Sequence, residues 1–271
     1  MKHFALIGQD IGYSLSPEIH RAAFAFLGAE AAYTLISFAP DEWADNLPRL
    51  KELDGFNVTK PHKTGVLRYL SPPSALPAVN TVLVSAGRFS GFSTDGAGLL
   101  RALDAAEFAY RDRSVLILGA GGAAVSAAAA LTGAGARAYL LNRTYQRAAE
   151  AAALSGAAAL RDVDALSAPG LAPYGLINCT TLGLAPGENP LPTGLDTRGA
   201  AWAYDMIYRP PITPFLREMT ASGIRVSNGL SMLIHQAILA DEIFLGIVLT
   251  ERERQGLYRH IIQTLEKEKA V

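Results

Sequence analysis

The sequence predicts an α/β protein of two domains, and three observations lead to this fold class. The chain has 271 residues, and about 150 residues per domain gives about two domains. Half of the residues are hydrophobic and only 18% are charged, a composition that supplies a large core and excludes intrinsic disorder. From Ser114 onwards, short apolar strands alternate with helical segments, a pattern typical of parallel sheets covered by helices.

The first hundred residues predict a mixed α/β unit. A helix is expected from Pro17 to about Leu27, with Ser16 as its N-cap and proline at its first position. A hairpin is expected where two alternating segments flank Ser85-Ala86-Gly87. The expected strands are His3–Gly8, Tyr33–Phe38, Phe56–Thr59, Asn80–Val84 and Arg88–Phe92.

The second part of the chain predicts a parallel sheet followed by helices. An alanine-rich helix follows Gly122, and a second helix runs from about Tyr145 to Ala153. The end of the chain, from Ser231 to about Lys267, is also expected to be helical. The expected strands here are Ser114–Leu118, Arg137–Leu141, Gly175–Asn178, Ala201–Asp205 and Ile224–Val226.

Charge and composition exclude several classes of partner. The net charge is −1 and the basic residues are scattered, whereas a nucleic-acid-binding protein concentrates positive charge against phosphates. The apolar start of the chain is shorter than the core of a secretory signal, and Asp241-Glu242 interrupts the longest apolar stretch near the C-terminus. The single cysteine, Cys179, cannot form an internal disulfide, which fits a reducing compartment. We therefore expect a cytoplasmic protein without nucleic-acid or membrane partners.

A glycine-rich turn follows the first strand of the parallel sheet. Gly119, Gly121 and Ala124 form a G-x-G-x-x-A motif between a strand and a helix, as in dinucleotide-binding folds. The glycines permit a tight turn and let a pyrophosphate approach the N–H groups that open the helix. The motif also occurs as a purely structural turn, but its position here favours a bound cofactor.

The residues after the next strand distinguish NADP from NAD. An NAD site usually carries a carboxylate about 20 residues after the glycine turn, to bind the ribose 2′-hydroxyl. Here the strand ends in Asn142-Arg143-Thr144, with Arg147 one helical turn beyond, and this stretch has no carboxylate. Two guanidinium groups can hold a 2′-phosphate, so the sequence favours NADP. The competing interpretation is a solvated arginine at the start of a helix.

The N-terminal part of the chain contains more polar residues than its predicted secondary structure requires. Helix capping accounts for Ser16 but not for Ser14, two residues earlier. Asn57 and Thr59 lie two residues apart, on one face of a strand. Lys63, shortly after them, is either a solvated charge or a proton donor. Lysine is absent from the whole middle of the chain, so any amine chemistry must come from its two ends.

Taken together, these motifs resemble the shikimate dehydrogenase family along nearly the whole chain. The matching blocks occur in the family's order and comprise Ser14-Leu15-Ser16-Pro17, Asn57–Lys63, Ala78-Val79-Asn80-Thr81, Thr94-Asp95-Gly96, Gly119–Ala124, Asn142-Arg143-Thr144, Tyr204–Tyr208 and Asn228–Gln236.

This resemblance implies a substrate domain at residues 1–97, an NADP domain with a Rossmann-like parallel sheet at 98–230, and helices at 231–271 that return to the substrate domain. It implies reversible, NADP-dependent reduction of 3-dehydroshikimate to shikimate in aromatic amino-acid biosynthesis, with Lys63 and Asp95 as the catalytic pair. The implied substrate contacts are Ser14, Ser16, Asn57, Thr59, Lys63, Asn80, Asp95, Tyr208 and Gln236. The implied cofactor contacts are Gly119, Ala120, Gly121, Gly122, Ala123, Asn142, Arg143, Thr144, Arg147, Thr180, Ile207, Gly229 and Met232.

Two rival functions remain open at this point. A quinate/shikimate dehydrogenase that uses NAD or NADP is one, although the paired serines and the two arginines favour the narrower NADP-linked activity. The other is a silent NADP- or shikimate-sensing protein, which should have lost the acid–base pair that is present here. The five histidines have no metal-ligand spacing, so no metal is expected. We expect a monomer or a homodimer.

Overall fold

The structure is a computed structural model that describes residues 1–74, 76–164, 172, 174–185 and 187–269. The chain divides into two compact units, which we call unit one and unit two. Unit one comprises Met1–Thr94 together with Ile234–Val271, and unit two comprises Asp95–Leu233.

Unit two extends slightly beyond residues 98–230, the range that the sequence assigns to the second domain. The helix that begins at Asp95 packs Leu99 and Leu103 into the core of unit two, so its first turn belongs to that unit. At the other end, Met232 packs against the same core, which extends unit two to Leu233. Core packing therefore sets both bounds, whereas the sequence assignment followed the motifs.

The N-terminal part of unit one is a mixed sheet with helices. Its elements are β1 (Lys2–Gly8), α1 (Ser16–Leu27), β2 (Ala31–Ser37), α2 (Trp43–Leu50), β3 (Gly55–Val58), α3 (His62–Gly65), β4 (Thr81–Ser85) and β5 (Arg88–Phe92). The strand order is β2-β1-β3-β4-β5. β1 pairs in parallel with β2 and β3, whereas β4 pairs antiparallel with β3 and β5. The expected hairpin is confirmed, with Ala86 and Gly87 both at positive φ, as a tight two-residue turn requires.

Unit two is built on a six-stranded parallel sheet. Its elements are α4 (Asp95–Ala105), β6 (Ser114–Leu118), α5 (Gly122–Gly133), β7 (Arg137–Leu141), α6 (Tyr145–Ser155), β8 (Ala158–Leu160), β9 (Tyr174–Asn178), β10 (Ala200–Asp205), α7 (Pro214–Ala221) and β11 (Arg225–Ser227). The strand order is β11-β10-β9-β6-β7-β8, with every pairing parallel. This is the doubly wound order, whose direction reverses between β6 and β9. The predicted fold class, with its Rossmann-like sheet, is confirmed.

The C-terminal segment that the sequence predicted to be helical consists of two helices. They are α8 (Leu230–Leu245) and α9 (Glu251–Lys269). Gly246, at φ +67°, ends α8, and the Glu242 carboxylate accepts a hydrogen bond from the Leu249 amide at 2.7 Å. Arg254 of α9 pairs with Glu242 at 2.6 Å and fixes the turn. Over the described residues, no helix is long and apolar enough to span a membrane.

Helices α2, α3, α4 and α7 were not predicted, and two of them, α2 and α4, carry poor helix formers. Pro48 lies inside α2, and Gly96 and Gly98 lie in α4. Both helices nevertheless bury apolar side chains, among them Leu50 of α2 and Leu103 of α4. Tertiary burial outweighs the weak local preference here.

Candidate active site

Four chain segments meet at one edge of the unit-one sheet, and three of them carry predicted site residues of that unit. β1 and β3 are parallel, so their last residues, Gly8 and Val58, lie at the same edge. β4 begins at that edge because Thr81 pairs with Asn57, and β5 ends there because Phe92 pairs with Thr81. The segments after β1, after β3, before β4 and after β5 are therefore neighbours, although they are far apart in the sequence.

Thr59 lies directly against the end of β1. Its backbone N–H donates to the Ile7 carbonyl at 2.9 Å. A Cβ atom on Gly8 would lie 2.5 Å from the Thr59 side chain, so only glycine at position 8 permits this approach. The half-buried Thr59 side chain thereby stays at the polar edge of the sheet.

A buried set of amide and hydroxyl side chains, which we call the amide cluster, occupies this edge. Its members are Asn57, Asn80, Thr81, Thr94 and Gln236. The Asn80 amide oxygen accepts from the Thr94 backbone N–H at 2.7 Å and from the Thr81 hydroxyl at 3.3 Å. Its Nδ2 donates to the Thr94 hydroxyl at 2.9 Å and to the Gln236 amide oxygen at 3.2 Å. Asn80 is therefore the centre of the cluster.

The Asn57 side chain forms hydrogen bonds through both its amide nitrogen and its amide oxygen. Its Nδ2 donates to the Asn80 carbonyl at 3.1 Å and to the Thr81 hydroxyl at 3.0 Å. Its Oδ1 accepts from the Tyr33 hydroxyl at 2.7 Å. The structure thus brings together three predicted substrate residues, Asn57, Asn80 and Gln236. Tyr33 was missed, because a tyrosine within a strand resembles an ordinary core residue.

Ser14 and Ser16 lie together at the start of α1, and the structure corrects only the predicted capping role of Ser16. The helix begins at Ser16, Leu15 is its N-cap, and no side chain caps it, so the predicted Ser16 N-cap is wrong. Instead, the Ser14 hydroxyl accepts a hydrogen bond from the Ser16 backbone N–H at 3.2 Å. It also donates to the Ser16 hydroxyl at 3.1 Å. The two hydroxyls nevertheless lie side by side at the start of α1.

Lys63 stands on the short helix α3, which its neighbour His62 anchors in the core. The Trp43 indole N–H donates to His62 Nδ1 at 3.1 Å, so His62 Nε2 carries the proton that bonds the Phe38 carbonyl at 2.9 Å. Both ring nitrogens of His62 are therefore used in hydrogen bonds within unit one. The Lys63 carbonyl also accepts from the Val79 backbone N–H at 3.0 Å, next to Asn80. Lys63 thus sits on a rigidly held backbone.

Two of the predicted substrate residues belong to unit two. Asp95 is the first residue of α4, where the helix macrodipole favours a carboxylate. Tyr208 follows β10 and is half-buried. The other predicted substrate residues are all in unit one.

The glycine turn of unit two provides an open helix N-terminus. Gly119 follows β6 with φ +110°, which favours glycine, and a Cβ there would lie 3.1 Å from the Thr180 side chain. α5 begins at Gly122 without a side-chain cap, so its first N–H groups remain available for an anion. A Cβ on Gly121 or Gly122 would meet nothing within 4 Å. The turn therefore has the space that a pyrophosphate requires.

The arginines after β7 have no anionic partners among the described residues. Arg143 and Arg147 are exposed, and neither guanidinium forms an ion pair or hydrogen bond within the described parts of the chain. Leu141 of β7 pairs with Leu160 of β8, so Arg161 follows at the same sheet edge. Its guanidinium lies 4.4 Å from the centre of the Tyr145 ring. This concentration of positive charge suits the 2′-phosphate of NADP.

A buried carboxylate joins two of the predicted cofactor residues. Asp205 Oδ1 accepts from the Asn178 side chain at 2.9 Å and from the Ile207 backbone N–H at 3.0 Å. Asn178 in turn accepts from Thr180, from its hydroxyl at 2.8 Å and its backbone N–H at 2.9 Å. Burial raises the pKa of Asp205, while a 2.6 Å bond from the Thr213 hydroxyl acts in the opposite direction.

Gly229 and Met232 lie beside the same segment. The Gly229 backbone N–H donates to the Ile207 carbonyl at 3.1 Å, and a Cβ on Gly229 would lie 2.1 Å from the Met206 carbonyl oxygen. The Met232 backbone N–H donates to the Tyr204 hydroxyl at 3.3 Å. The chain therefore requires glycine at position 229.

The strand order, glycine turn and arginine pair define an α/β protein with a Rossmann-type dinucleotide-binding unit joined to a second, mixed α/β unit. Residues 6–82 match the family described as the shikimate dehydrogenase substrate binding domain. The chain is 39% identical to the shikimate dehydrogenase (NADP(+)) of Moorella thermoacetica, across 89% of this chain and 87% of that protein. The chain belongs to the shikimate dehydrogenase family.

Comparisons with a Thermus thermophilus relative agree in sequence and in structure. The chain is 40% identical to the shikimate dehydrogenase (NADP(+)) of that organism, across 92% of this chain and 94% of the relative. The crystal structure of shikimate 5-dehydrogenase from Thermus thermophilus, in complex with NADP(H) and shikimate, matches with a TM-score of 0.85. That match has 36% sequence identity and covers 97% of this chain and all of the other.

Proposed function

We propose that this chain is an NADP-dependent oxidoreductase that reversibly reduces 3-dehydroshikimate to shikimate, a step of aromatic amino-acid biosynthesis. The observation that carries this proposal is the concentration of hydroxyl and amide groups at one edge of the unit-one sheet, next to the short helix that bears Lys63. Shikimate is a small ring with three hydroxyls and a carboxylate, and it needs such partners. The complex of the Thermus thermophilus relative with NADP(H) and shikimate supports the assignment.

Substrate binding is assigned to the polar side chains that the family motifs identify. The Ser14 and Ser16 hydroxyls donate hydrogen bonds to the substrate carboxylate, for which the Ser14 hydroxyl turns from Ser16 to the substrate. Tyr208 reaches the same end of the substrate. The ring hydroxyls are bound by Asn57, Thr59, Asn80, Gln236, Lys63 and Asp95. The amide cluster is already hydrogen-bonded internally, so it presents preorganised groups to the ring.

Cofactor binding is assigned to unit two. When bound, NADPH supplies the hydride that reduces the ketone. The N–H groups at the start of α5, with the Gly119–Ala123 turn, hold the pyrophosphate. Arg143 and Arg147, with Asn142 and Thr144, hold the 2′-phosphate. Thr180, Ile207, Gly229 and Met232 line the nicotinamide end.

Lys63 is assigned as the proton donor of the reaction. Hydride addition to the carbonyl carbon leaves negative charge on the oxygen, and the Lys63 ammonium donates a proton to that oxygen. Asp95 orients the ammonium and binds a neighbouring hydroxyl of the substrate. In the reverse direction Lys63 accepts the hydroxyl proton as hydride leaves the carbon.

Assays of the purified protein test the proposed activity directly. We expect NADPH oxidation with 3-dehydroshikimate and NADP reduction with shikimate, with much weaker activity on quinate or with NADH. Comparable rates with quinate and NAD would instead assign the broader quinate/shikimate dehydrogenase activity. Binding of shikimate and NADP without turnover would assign a sensing role.

Replacing Ser14 with alanine is expected to raise KM for shikimate about 10-fold and to leave KM for NADP unchanged. The reason is the loss of one hydroxyl donor to a carboxylate, a charge-assisted hydrogen bond of about 1.5 kcal/mol. Steady-state kinetics with each substrate varied in turn measures this. Ser85→Ala, at the exposed end of β4, is the control and should behave as wild type. Equal changes in both KM values would contradict the assignment.

The cellular setting of the enzyme is part of the proposal. We place it in the cytoplasm, which suits a chain with a single cysteine. We further assign it as a monomer or homodimer without nucleic-acid partners, in keeping with its scattered basic residues. Sedimentation at several protein concentrations measures the oligomeric state.

A further inference from the structure

A buried acid–imidazole pair lies in unit one, and the proposed reaction makes no use of it. His20 Nδ1 of α1 and Asp241 Oδ1 of α8 are 2.6 Å apart, and both side chains are almost completely excluded from solvent. The rings of Phe24 and Phe244 lie 6.0 and 6.3 Å from the His20 ring. Burial raises the pKa of Asp241, and His20 opposes that shift. Such buried pairs contribute little net stability, because desolvation offsets their attraction, so stability alone does not account for this one.

Tyr33 connects the His20–Asp241 pair to the amide cluster. The His20 ring stacks on the Tyr33 ring, with 4.0 Å between centroids and 11° between planes. The Tyr33 hydroxyl donates to Asn57 Oδ1 at 2.7 Å. Burial, together with the nearby Asp241 carboxylate, raises the pKa of Tyr33 well above its ordinary value. The phenol therefore keeps its proton and remains a donor to Asn57.

These contacts determine what Asn57 can offer a substrate. Both Nδ2 hydrogens are directed to the Asn80 carbonyl and the Thr81 hydroxyl. Because a carbonyl only accepts, the orientation of the Asn57 amide is unambiguous. Oδ1 takes one hydrogen bond from Tyr33, and an amide oxygen has a second lone pair. Asn57 therefore meets a substrate hydroxyl as an acceptor.

We propose that Tyr33 is a positioning residue that fixes the Asn57 acceptor, and that the His20–Asp241 pair holds Tyr33 in place. This inference rests on the proposed function, in which Asn57 contacts a ring hydroxyl of shikimate. Loss of the Tyr33 hydroxyl removes one of three hydrogen bonds that hold the Asn57 amide. It also leaves the buried Asn57 Oδ1 without the Tyr33 donor, so the Asn57 amide shifts from its position.

Tyr33→Phe tests the proposal, because it removes the hydroxyl and keeps the ring stacked on His20. We expect KM for shikimate to rise about five- to tenfold, the scale of one neutral hydrogen bond, with kcat and KM for NADP within about twofold of wild type. The control is Tyr69→Phe in the same unit. Tyr69 stacks on Trp43, and its hydroxyl forms no hydrogen bond within the described residues, so its kinetics should be unchanged.

Asp241→Asn is the second variant, because it keeps the side-chain shape and removes the charge. It should raise KM for shikimate in the same direction. Combined with Tyr33→Phe, its effect should be less than multiplicative, since both changes act through the same hydrogen bond.

A wild-type KM for shikimate in Tyr33→Phe would overturn the proposal. Equal rises in both KM values would also overturn it, because they indicate a general structural defect. Multiplicative effects in the double variant would overturn the role of the pair.

A readout without substrate separates this proposal from the proposed function. In ¹⁵N-labelled protein, the Asn57 side-chain NH₂ protons should exchange with solvent faster in Tyr33→Phe than in Tyr69→Phe. Unchanged exchange would overturn the proposal even if the enzyme is active. If wild-type protein fails to oxidise shikimate, the proposed function fails, and this exchange measurement still decides the role of Tyr33.

Discussion

Replacing Lys63 with alanine is expected to lower kcat at least about 100-fold, while KM for the substrate changes much less. The reason is that a positioned proton donor lowers the barrier to carbonyl reduction by about 10²- to 10⁴-fold, and a 100-fold loss corresponds to about 2.7 kcal/mol. A loss confined to kcat indicates an interaction made in the transition state. Steady-state kinetics at saturating NADPH with varied 3-dehydroshikimate measures both parameters.

Lys60→Ala is a matched control for this prediction. Lys60 belongs to the same motif and is exposed, and its substitution should leave kcat unchanged. Asp95→Asn should impair both kcat and KM, because the proposed function gives Asp95 a substrate contact as well. A Lys63→Ala enzyme with nearly wild-type kcat would show that the proton comes from water or from Tyr208.

Replacing Arg143 with alanine is expected to raise KM for NADPH about 10- to 100-fold and to change KM for NADH little. The Arg143 guanidinium has no anionic partner among the described residues. Its removal should therefore cost the enzyme its contact with the 2′-phosphate of NADPH. A charge-assisted contact of this kind contributes about 1.5–3 kcal/mol. Because the site is exposed, the effect should decrease at high salt.

Arg113→Ala is the control for the cofactor prediction. Arg113 is exposed and directly precedes β6, so it lies at the opposite edge of the parallel sheet from Arg143, which follows β7. Its loss should leave both KM values unchanged. Equal losses with NADPH and NADH in Arg143→Ala would mean that Arg143 does not recognise the 2′-phosphate.

Strands with strong local signals were the part of the fold that could be predicted from sequence. β6 and β7 have the predicted bounds, because buried parallel strands are continuous apolar runs closed by turns. The start of α1 was placed one residue late and its cap was wrong, because Ser14 bonds the first helical N–H from outside the helix. Such a contact depends on the path of the preceding loop, which no residue pattern shows.

For the candidate site, sequence motifs identified residues but not their interactions. Asn57, Asn80 and Gln236 were named from the family resemblance, and the structure adds that they form one hydrogen-bonded cluster. Their assignment to substrate stays a prediction. Tyr33 escaped notice, because its role depends on β2 and β3 both pairing with β1 in the sheet.

The sequence by itself determined the fold class, the parallel sheet with its glycine turn, and the absence of a carboxylate after β7. These properties are local, since apolar periodicity, glycine conformation and side-chain charge act over a few residues. Only the tertiary structure decided that Asn57, Asn80 and Gln236 share one network and that His20 of α1 pairs with Asp241 of α8. The contacts of Asn80 with Gln236 and of His20 with Asp241 join residues more than a hundred positions apart. Strand pairing and core burial, rather than local pattern, bring these residues together.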